Sequence, residues 1–348
     1  EDYENQHIDL ALGEEATSLD LETRRVSTSG HRYISFRKLL ITTGGDPARF
    51  RATGAASRIL RFQTLEDADH IRKTLNEYTN LSRPQALVVG GGFIGLEFIE
   101  SAVQYGFHTN LFLKGTKYFG EALEEQGWEL LRKNFEKHDV TVFPETEVLT
   151  LSEEEDLVTA DTGSEKVRGH FLGLGIGLDR NLGIFHDAGL AAGEGIEVNE
   201  YLETSGSNVW AAGDVAEFTD LIFGGRRIDG TWTNAVLQGK VAGENMAGKR
   251  LAFRTVSTYS ISNLGFYITL VGNTLVGTGM SDMIRLWPGE AGYERLFFRG
   301  DVLEGALLIN RFRDKAPITR LIEKQLPLGN VKDKLPDPSF DVHSLLNQ

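Results

Sequence analysis

The sequence predicts an α/β protein with nucleotide-binding domains, and three observations support this fold class. An apolar run, residues 87–89, leads directly into Gly-x-Gly-x-x-Gly and then into an amphipathic helix. A second apolar strand, residues 110–113, follows that helix, as in a βαβ unit. Another apolar strand, residues 209–212, ends in Gly-Asp. At 348 residues the chain is long enough for two or three domains with cores of their own.

The glycines of the first motif have separate tasks in a nucleotide-binding turn. Gly90 makes the tight turn, Gly92 lets the backbone approach a pyrophosphate, and Gly95 lets helix and strand pack closely. The free N–H groups of the first helical turn then face the phosphates. Glycine spacing alone also fits a flexible loop. The apolar stripe of the helix and its stop at Tyr105-Gly106 favour the nucleotide site.

The residue that contacts the adenosine ribose is expected at the end of the second strand. This position, about 20 residues past the glycines, normally carries Asp or Glu for the ribose 2′-hydroxyl. Here it carries Lys114, with Lys117 close behind. A cation suits a 2′-phosphate, so NADPH is an option beside NADH. The alternative is a solvated lysine at the end of a strand.

Other elements are predicted from periodicity and turn signals. Helices are predicted over residues 64–78, 121–138 and 231–246, and one more has Pro317 in its first turn. Strands are predicted over residues 8–12, 18–21, 25–27, 33–43, 140–143, 258–261, 266–271, 293–298 and 302–309, with a β-meander over 147–177.

Two further strand ends carry candidate ligand positions. Gly175 and Gly177 close the meander, where they would let a flat ring approach the backbone; an ordinary tight turn is the alternative. Asp214 follows an apolar strand at the edge where open α/β sheets bind ligands. Its carboxylate can accept a hydrogen bond from a sugar or ribityl hydroxyl.

Composition excludes several classes of function. The net charge of −14 argues against a nucleic-acid partner. The absence of cysteine excludes disulfides, cysteine-ligated metal sites and a thiol nucleophile within these residues. The scattered histidines predict no metal site, and no run approaches about 18 apolar residues, so no membrane span is predicted. We expect an acidic cytoplasmic enzyme.

A basic segment stands out near the end of this acidic chain. It is either a solvated face or a docking surface for an acidic electron-acceptor protein. Its cations are Arg311, Arg313, Lys315, Arg320, Lys324, Lys332 and Lys334.

These motifs, in this order, resemble the FAD-dependent pyridine nucleotide-disulfide oxidoreductase superfamily. Thr43-Gly44 looks like its Ala-Thr-Gly turn, residues 90–97 like its NAD(P)H fingerprint, and residues 204–214 like its second FAD motif. The pattern of Trp232 and Gln238 is similar to the helix near the flavin ring. The last hundred residues look more like the small C-terminal domain of NADH:rubredoxin oxidoreductases and nitrite reductase flavoproteins than a glutathione reductase dimerisation domain.

The resemblance implies a flavoprotein oxidoreductase with FAD and NAD(P)H as cofactors. It assigns FAD contacts to Thr43, Gly44, Gly213, Asp214, Trp232 and Gln238. It implies that Phe93 covers the flavin until nicotinamide displaces it, and that Glu97 contacts the nicotinamide ribose or amide. The alternatives are a packing role for Phe93 and, for Glu97, a first-turn carboxylate favoured by the helix dipole.

The resemblance also implies the domain order. Two Rossmann-like three-layer domains are expected, the NAD(P) domain being inserted in a discontinuous FAD domain, with a small α+β domain at the C-terminus. The expected bounds are residues 1–83 and 191–249 for the FAD domain, 84–190 for the NAD(P) domain and 250–348 for the C-terminal domain.

The family's first FAD fingerprint is not found in this chain. We therefore expect a preceding segment or a separate chain to supply it, and a homodimer is also compatible with the resemblance. The competing hypothesis is a non-enzymatic paralogue or subunit that uses the fold for nucleotide sensing or assembly.

Overall fold

The computed structural model describes residues 2–347 and divides them into two compact units. One unit contains the residues up to Gly45 together with Arg180–Thr255, and the other contains Asp46–Asp179 with the residues from Val256 onward. Both units mix helices with parallel strand pairs, which confirms the α/β class. The four expected domain bounds stay a prediction. None of the helices within residues 2–347 is long and apolar enough to cross a membrane.

The second unit contains the predicted nucleotide sheet, which is five-stranded and parallel. Its strands, in spatial order, are Val140–Phe143, His108–Phe112, Gln85–Val89, Phe171–Leu174 and Ile59–Leu60. The helices of this part are Leu65–Glu77, Phe93–Gln104 and Glu125–Lys137, with a 3₁₀ turn at Gly120–Ala122. Helix Phe93–Gln104 ends at Tyr105-Gly106 as predicted.

The predicted meander over 147–177 is only partly correct. Three antiparallel strands form the meander: Lys166–Gly169, Leu157–Asp161 and Thr150–Glu154. The short strand Thr53–Gly54 pairs with the last of them in parallel. The closing strand Phe171–Leu174 belongs to the parallel sheet instead. All of its residues are buried, as is typical of a strand covered on both faces. A short pair, Asp46–Pro47 with Leu178–Asp179, completes this region.

The C-terminal residues form a five-stranded antiparallel sheet in the same unit. Its spatial order is Thr258–Asn263, Phe266–Gly272, Val302–Ile309, Gly292–Arg299 and Met280–Trp287. The last is an edge strand in which Ser281, Asp282 and Leu286 are exposed, and its lack of a clear period explains why the sequence did not predict it. Helix Lys315–Lys324 follows the sheet, and the 3₁₀ segments are Pro288–Glu290, Phe312–Asp314, Gly329–Lys334 and Val342–Asn347.

Buried hydrogen bonds tie this sheet to the nucleotide-binding part of the unit. The Asn263 side-chain amide donates to the carbonyl of Leu96 at 2.7 Å, and Asn134 donates to the carbonyl of Leu264 at 3.2 Å. The guanidinium of Arg295 donates to a backbone carbonyl at 2.6 Å. These bonds explain why the C-terminal residues share a compact unit with the sheet that they follow in the chain.

The first unit is built from small sheets around its own apolar core. One sheet is antiparallel and contains Ala16–Asp20, Arg25–Thr28 and Tyr33–Ser35. A second is a parallel pair formed by Leu39–Ile41 and Val209–Ala211. A third contains Ile196–Val198, Ala216–Thr219 and Arg226–Arg227. The helices of this unit are Asp2–Asn5, Gly183–Asp187 and Trp232–Met246. Ile41, Phe185, Trp210, Phe218 and Phe253 lie in its core.

Two strand predictions in this unit are wrong. Residues 8–12 form no strand, and their apolar side chains stay largely exposed instead of joining the core. The strand predicted over 33–43 is two strands, since a bend at Arg37-Lys38 separates Tyr33–Ser35 from Leu39–Ile41. The bend lets the second segment leave the antiparallel sheet and pair in parallel with Val209–Ala211.

Candidate functional site

The glycine loop between strand Gln85–Val89 and its helix has the geometry of a nucleotide-binding turn. Gly90 adopts a φ of 128°, and a Cβ there would lie 2.1 Å from a backbone oxygen. A Cβ on Gly95 would lie 2.6 Å from the Gly90 carbonyl oxygen. Gly92 begins the helix with open space where a Cβ would stand, and no side chain caps its N–H groups. The loop therefore presents free donors at a helix N-terminus.

A buried tyrosine fixes this loop and was missed by the sequence analysis. The Tyr118 hydroxyl donates to the Gly92 carbonyl at 2.7 Å, and the next residue's N–H donates to the Gly91 carbonyl at 3.2 Å. Complete burial raises the pKa of Tyr118 well above its ordinary value, so the phenol remains a donor. An aromatic residue in an irregular segment gives no periodic signal that could have revealed this role.

Gly175 packs behind the loop. A Cβ on Gly175 would lie 2.6 Å from the backbone nitrogen of Gly95, and the Gly175 carbonyl is the oxygen that Gly90 approaches. Gly175 therefore packs backbone against backbone behind the loop, and the approach of a flat ring to it stays a prediction. Gly177 adopts a φ of 95° in open space, as the predicted turn requires.

Phe93 and Glu97 meet a tyrosine from the C-terminal sheet. The ring centroid of Phe93 lies 3.8 Å from that of Tyr259 and 5.2 Å from that of Phe119. Burial raises the pKa of Glu97, and the hydrogen bond from Tyr259 lowers it. Burial and the neighbouring Glu97 carboxylate raise the pKa of Tyr259. The alternative interpretation of Glu97 was wrong, because the first turn of its helix holds no acidic residue.

Lys114 lies where predicted, just past the end of strand His108–Phe112, and it has an acidic partner. Its Nζ lies 3.0 Å from Oε1 of Glu147, and the two side chains are 87% and 56% exposed. An exposed pair of this kind contributes little to stability. It does change the charge that a ribose at this edge would meet. Lys117 is half-buried nearby in the sequence.

In the first unit, two parallel strands end side by side in glycine turns. Gly44 follows strand Leu39–Ile41 with a φ of 62° and open space around its Cα. Gly213 follows strand Val209–Ala211 with a φ of 81°. Burial raises the pKa of Asp214, while the guanidinium of Arg180 lowers it. Thr43 and Asp214 thus flank a glycine-lined sheet edge of the kind that binds ligands.

Comparison with known proteins identifies the family. Residues 1–239 match the family model described as Pyridine nucleotide-disulphide oxidoreductase. The chain belongs to this family. Family membership confirms the resemblance, and with it the prediction of an FAD-dependent NAD(P)H oxidoreductase whose cofactors are FAD and NAD(P)H.

Individual members of the family resemble this chain at low sequence identity. An assimilatory nitrate reductase electron transfer subunit of Bacillus subtilis (strain 168) is 23% identical over 97% of the chain, which spans 43% of that subunit. A rubredoxin-NAD(+) reductase of Pseudomonas putida is 25% identical over 80% of the chain and 70% of the relative. The fold matches that of putidaredoxin reductase in its covalent complex with putidaredoxin, with a TM-score of 0.89, 22% identity, and coverage of 99% of this chain and 83% of that one.

The first unit fits the FAD that this family uses. Gln238 is buried, and its Oε1 accepts the N–H of Gly213 at 2.7 Å. Its Nε2 is also buried and has no hydrogen-bond partner among residues 2–347. An unpaired buried donor costs free energy, which a cofactor acceptor would recover. Trp232 begins the same helix with its indole 86% exposed, and Thr231 caps that helix by accepting the N–H of Asn234 at 3.3 Å.

The predicted basic segment does not form one cationic surface. Arg311 is buried, donates to Asp314 at 2.7 Å and stacks its guanidinium 3.7 Å from the ring centroid of Trp287. Lys315 donates to Ser260 Oγ at 3.2 Å. Lys332 packs over an aromatic ring and donates to a backbone carbonyl. The cations that remain exposed are Arg313, Arg320, Lys324 and Lys334.

Metal ligands were not expected in this chain. Within residues 2–347, no group of three or more His, Cys, Asp or Glu side chains is arranged to hold a metal ion.

Proposed function

We propose that this chain passes hydride from NAD(P)H to FAD and hands the electrons on to a small redox protein. The observation that supports it best is the glycine loop, where Gly90 and Gly95 leave no room for a side chain and Gly92 leaves room for a ligand. This combination serves a backbone that must approach a pyrophosphate. The relatives named as reductases of rubredoxin and putidaredoxin support the proposed acceptor class.

The loop and the adjacent helix N-terminus would bind the coenzyme's pyrophosphate. Uncapped N–H groups at Gly92 and in the first turn donate to the phosphates, and the helix dipole favours their negative charge. Tyr118 positions these donors through the Gly92 carbonyl. Because the donors are backbone groups held by a buried side chain, they need little rearrangement on binding.

Phe93, Glu97 and Tyr259 would receive the nicotinamide. The Phe93 ring, packed at a tilt against Tyr259, excludes water until the coenzyme arrives. The Glu97 carboxylate, held by the Tyr259 hydroxyl, accepts a hydrogen bond from the carboxamide or the ribose. These side chains orient the coenzyme, and the cofactor carries the redox chemistry.

The first unit would hold FAD through its two glycine-lined strand ends. Asp214 accepts a hydroxyl hydrogen bond, and the free Nε2 of Gln238 donates to the cofactor. Thr43, Gly44, Gly213 and Trp232 line the same edge or the helix beside it. When bound, FAD accepts hydride and can release electrons singly.

The test is anaerobic titration of the flavin-loaded protein with NADH and NADPH while the visible flavin absorbance is followed. We expect at least one coenzyme to bleach the flavin. Gly92→Asp should abolish bleaching, because its carboxylate opposes the phosphates. Gly289→Asp places the same charge in an exposed turn of the same unit and should leave bleaching unchanged. An unbleached wild-type protein, or a Gly92→Asp variant reduced as fast as wild type, contradicts the proposal.

An acidic acceptor is the partner that we propose for the exposed cations. The net charge of −14 repels an acidic protein overall, so docking needs a local cation such as Arg313. We expect Arg313→Glu to slow electron transfer to an acidic [2Fe–2S] ferredoxin and to weaken the salt dependence of that step. Flavin reduction should not change. Lys73→Glu, on another exposed helix face, is the matched control. Equal effects of the two variants would contradict docking at Arg313.

Three other predictions remain open to experiment. They are a cytoplasmic location, a homodimer, and a preceding segment or separate chain that supplies a further FAD-binding unit.

A further inference from the structure

The end of strand His108–Phe112 carries an acid that the sequence motif lacks. Glu147 comes from the segment after the next strand of the sheet, and its Oε1 lies 3.0 Å from Lys114 Nζ. We propose that Glu147 determines coenzyme specificity by accepting the 2′-hydroxyl of NADH and excluding the 2′-phosphate of NADPH. The inference rests on the proposed function, since it places the coenzyme on the Gly90–Gly95 loop.

Backbone hydrogen bonds fix the position of Glu147. The N–H of Thr146 donates to the Leu113 carbonyl at 2.8 Å, and the N–H of Glu145 donates to the Gly115 carbonyl at 3.0 Å. The two acceptor carbonyls, of Leu113 and Gly115, flank Lys114 in the sequence. These hydrogen bonds hold the chain that carries Glu147 directly beside the position that normally contacts the ribose. The fold therefore places Glu147 at this edge of the sheet, although Glu147 is far from the glycine motif in the sequence.

The charges at this edge favour NADH. Glu147 neutralises Lys114, so the cation that the sequence offers to a 2′-phosphate already has an anionic partner. A phosphate monoester carries about −1.5 to −2 charge at pH 7 and would meet the carboxylate at close range. A 2′-hydroxyl instead donates to that carboxylate, as it does to the usual Asp or Glu of this motif.

The test measures dissociation constants of NADH and NADPH for the flavin-loaded protein by isothermal titration calorimetry. We expect wild type to bind NADH at least tenfold more tightly. Glu147→Gln frees Lys114, so NADPH affinity should rise by about tenfold, the effect of one charge-assisted contact. NADH affinity should fall a few-fold. Raising the salt concentration should shrink the NADPH gain, because the freed cation is exposed.

Two further variants separate the specific contact from local charge. Glu145→Gln removes the same charge two residues earlier on the same exposed segment, and it should leave the ratio of the two dissociation constants unchanged. Lys114→Met leaves Glu147 without its partner and should weaken NADPH further while NADH binding is kept.

Different failures contradict different claims. If NADH binds and Glu147→Gln leaves the ratio at its wild-type value, or if Glu145→Gln shifts it equally, the role of Glu147 is wrong. If the wild-type protein binds neither coenzyme, the proposed function itself is wrong.

Discussion

Glu97 illustrates how one side chain combines burial with a hydrogen bond. Burial disfavours its ionised form and raises its pKa, while the hydroxyl of Tyr259 donates to the carboxylate and lowers the pKa. The same tyrosine ring packs at a tilt against Phe93, with 3.8 Å between the ring centroids. Tyr259 therefore contacts both Phe93, which the family resemblance assigns to covering the flavin, and Glu97, which it assigns to the nicotinamide.

Replacing Tyr259 by Phe should move the pH dependence of flavin reduction. The variant keeps the ring that packs against Phe93 but loses the hydroxyl donor, so the pKa of Glu97 rises further and its ionisation requires a higher pH. We expect the limb of the pH–rate profile that reports Glu97 ionisation to shift to higher pH. Stopped-flow reduction of the flavin by NAD(P)H over a range of pH measures this shift.

Tyr267→Phe is the matched control for this experiment. Tyr267 lies on the next strand of the same sheet, and its ring makes an edge contact with Phe312 instead of Phe93. Its variant should reproduce the wild-type profile. An unshifted profile in Tyr259→Phe would show that its hydroxyl does not act on Glu97.

At the scale of an element, the strand–loop–helix unit distinguishes two kinds of glycine. Gly95 is required by packing, because a Cβ there would lie 2.6 Å from both the Gly90 carbonyl oxygen and the Tyr118 hydroxyl. Gly92 has extended backbone angles and open space around it, so the fold itself would accept a side chain there. Its glycine is explained by a ligand that needs the space.

Alanine at these two positions should therefore have separable effects. Gly95→Ala places a Cβ 2.6 Å from two oxygen atoms and should lower the free energy of unfolding by about 1–3 kcal/mol. Gly92→Ala should change that free energy by less than about 0.5 kcal/mol yet weaken NAD(P)H binding by roughly tenfold. Urea unfolding and calorimetric titration measure the two quantities. Normal coenzyme binding by Gly92→Ala would contradict the pyrophosphate role of the loop.

At the scale of the whole molecule, buried ion pairs hold the C-terminal sheet to its helix. Arg285 donates to Glu294 at 2.7 Å with both side chains buried, and Arg311 joins this pair to Asp314. Such groups stabilise one another only while every charge keeps its partner. Two of the arginines also stack on Trp287, which adds apolar contact to the pairing.

Arg311→Met should destabilise the protein strongly, although a basic residue in this segment was expected at the surface. The substitution leaves the buried Asp314 carboxylate without its close arginine partner, whereas Glu294 keeps Arg285, and should lower the free energy of unfolding by about 3–5 kcal/mol. Arg313→Met, at a side chain 69% exposed, should cost less than about 0.5 kcal/mol. Urea midpoints from tryptophan fluorescence measure both. Equal midpoints would show that the Arg311 pairs contribute nothing to stability.

The sequence by itself determined the features that are written in contiguous residues. The nucleotide-binding strand, its glycine loop and its helix depend on local spacing and apolar periodicity, and the structure forms them where predicted. The strand that ends before Gly213-Asp214 was found for the same reason. The order of these motifs also identified the family, because it reflects the order of the folded parts.

Only the tertiary structure decided which distant residues complete each site. Tyr118, Tyr259 and Glu147 lie in segments without a motif. Tertiary packing brings Tyr118 to the loop, Tyr259 to Glu97 and Glu147 to Lys114. It also buried Arg311, which composition alone assigned to a cationic surface. Burial and charge pairing depend on the packing of elements that are distant in the sequence. Local periodicity therefore cannot predict which remote side chain will contact a given residue.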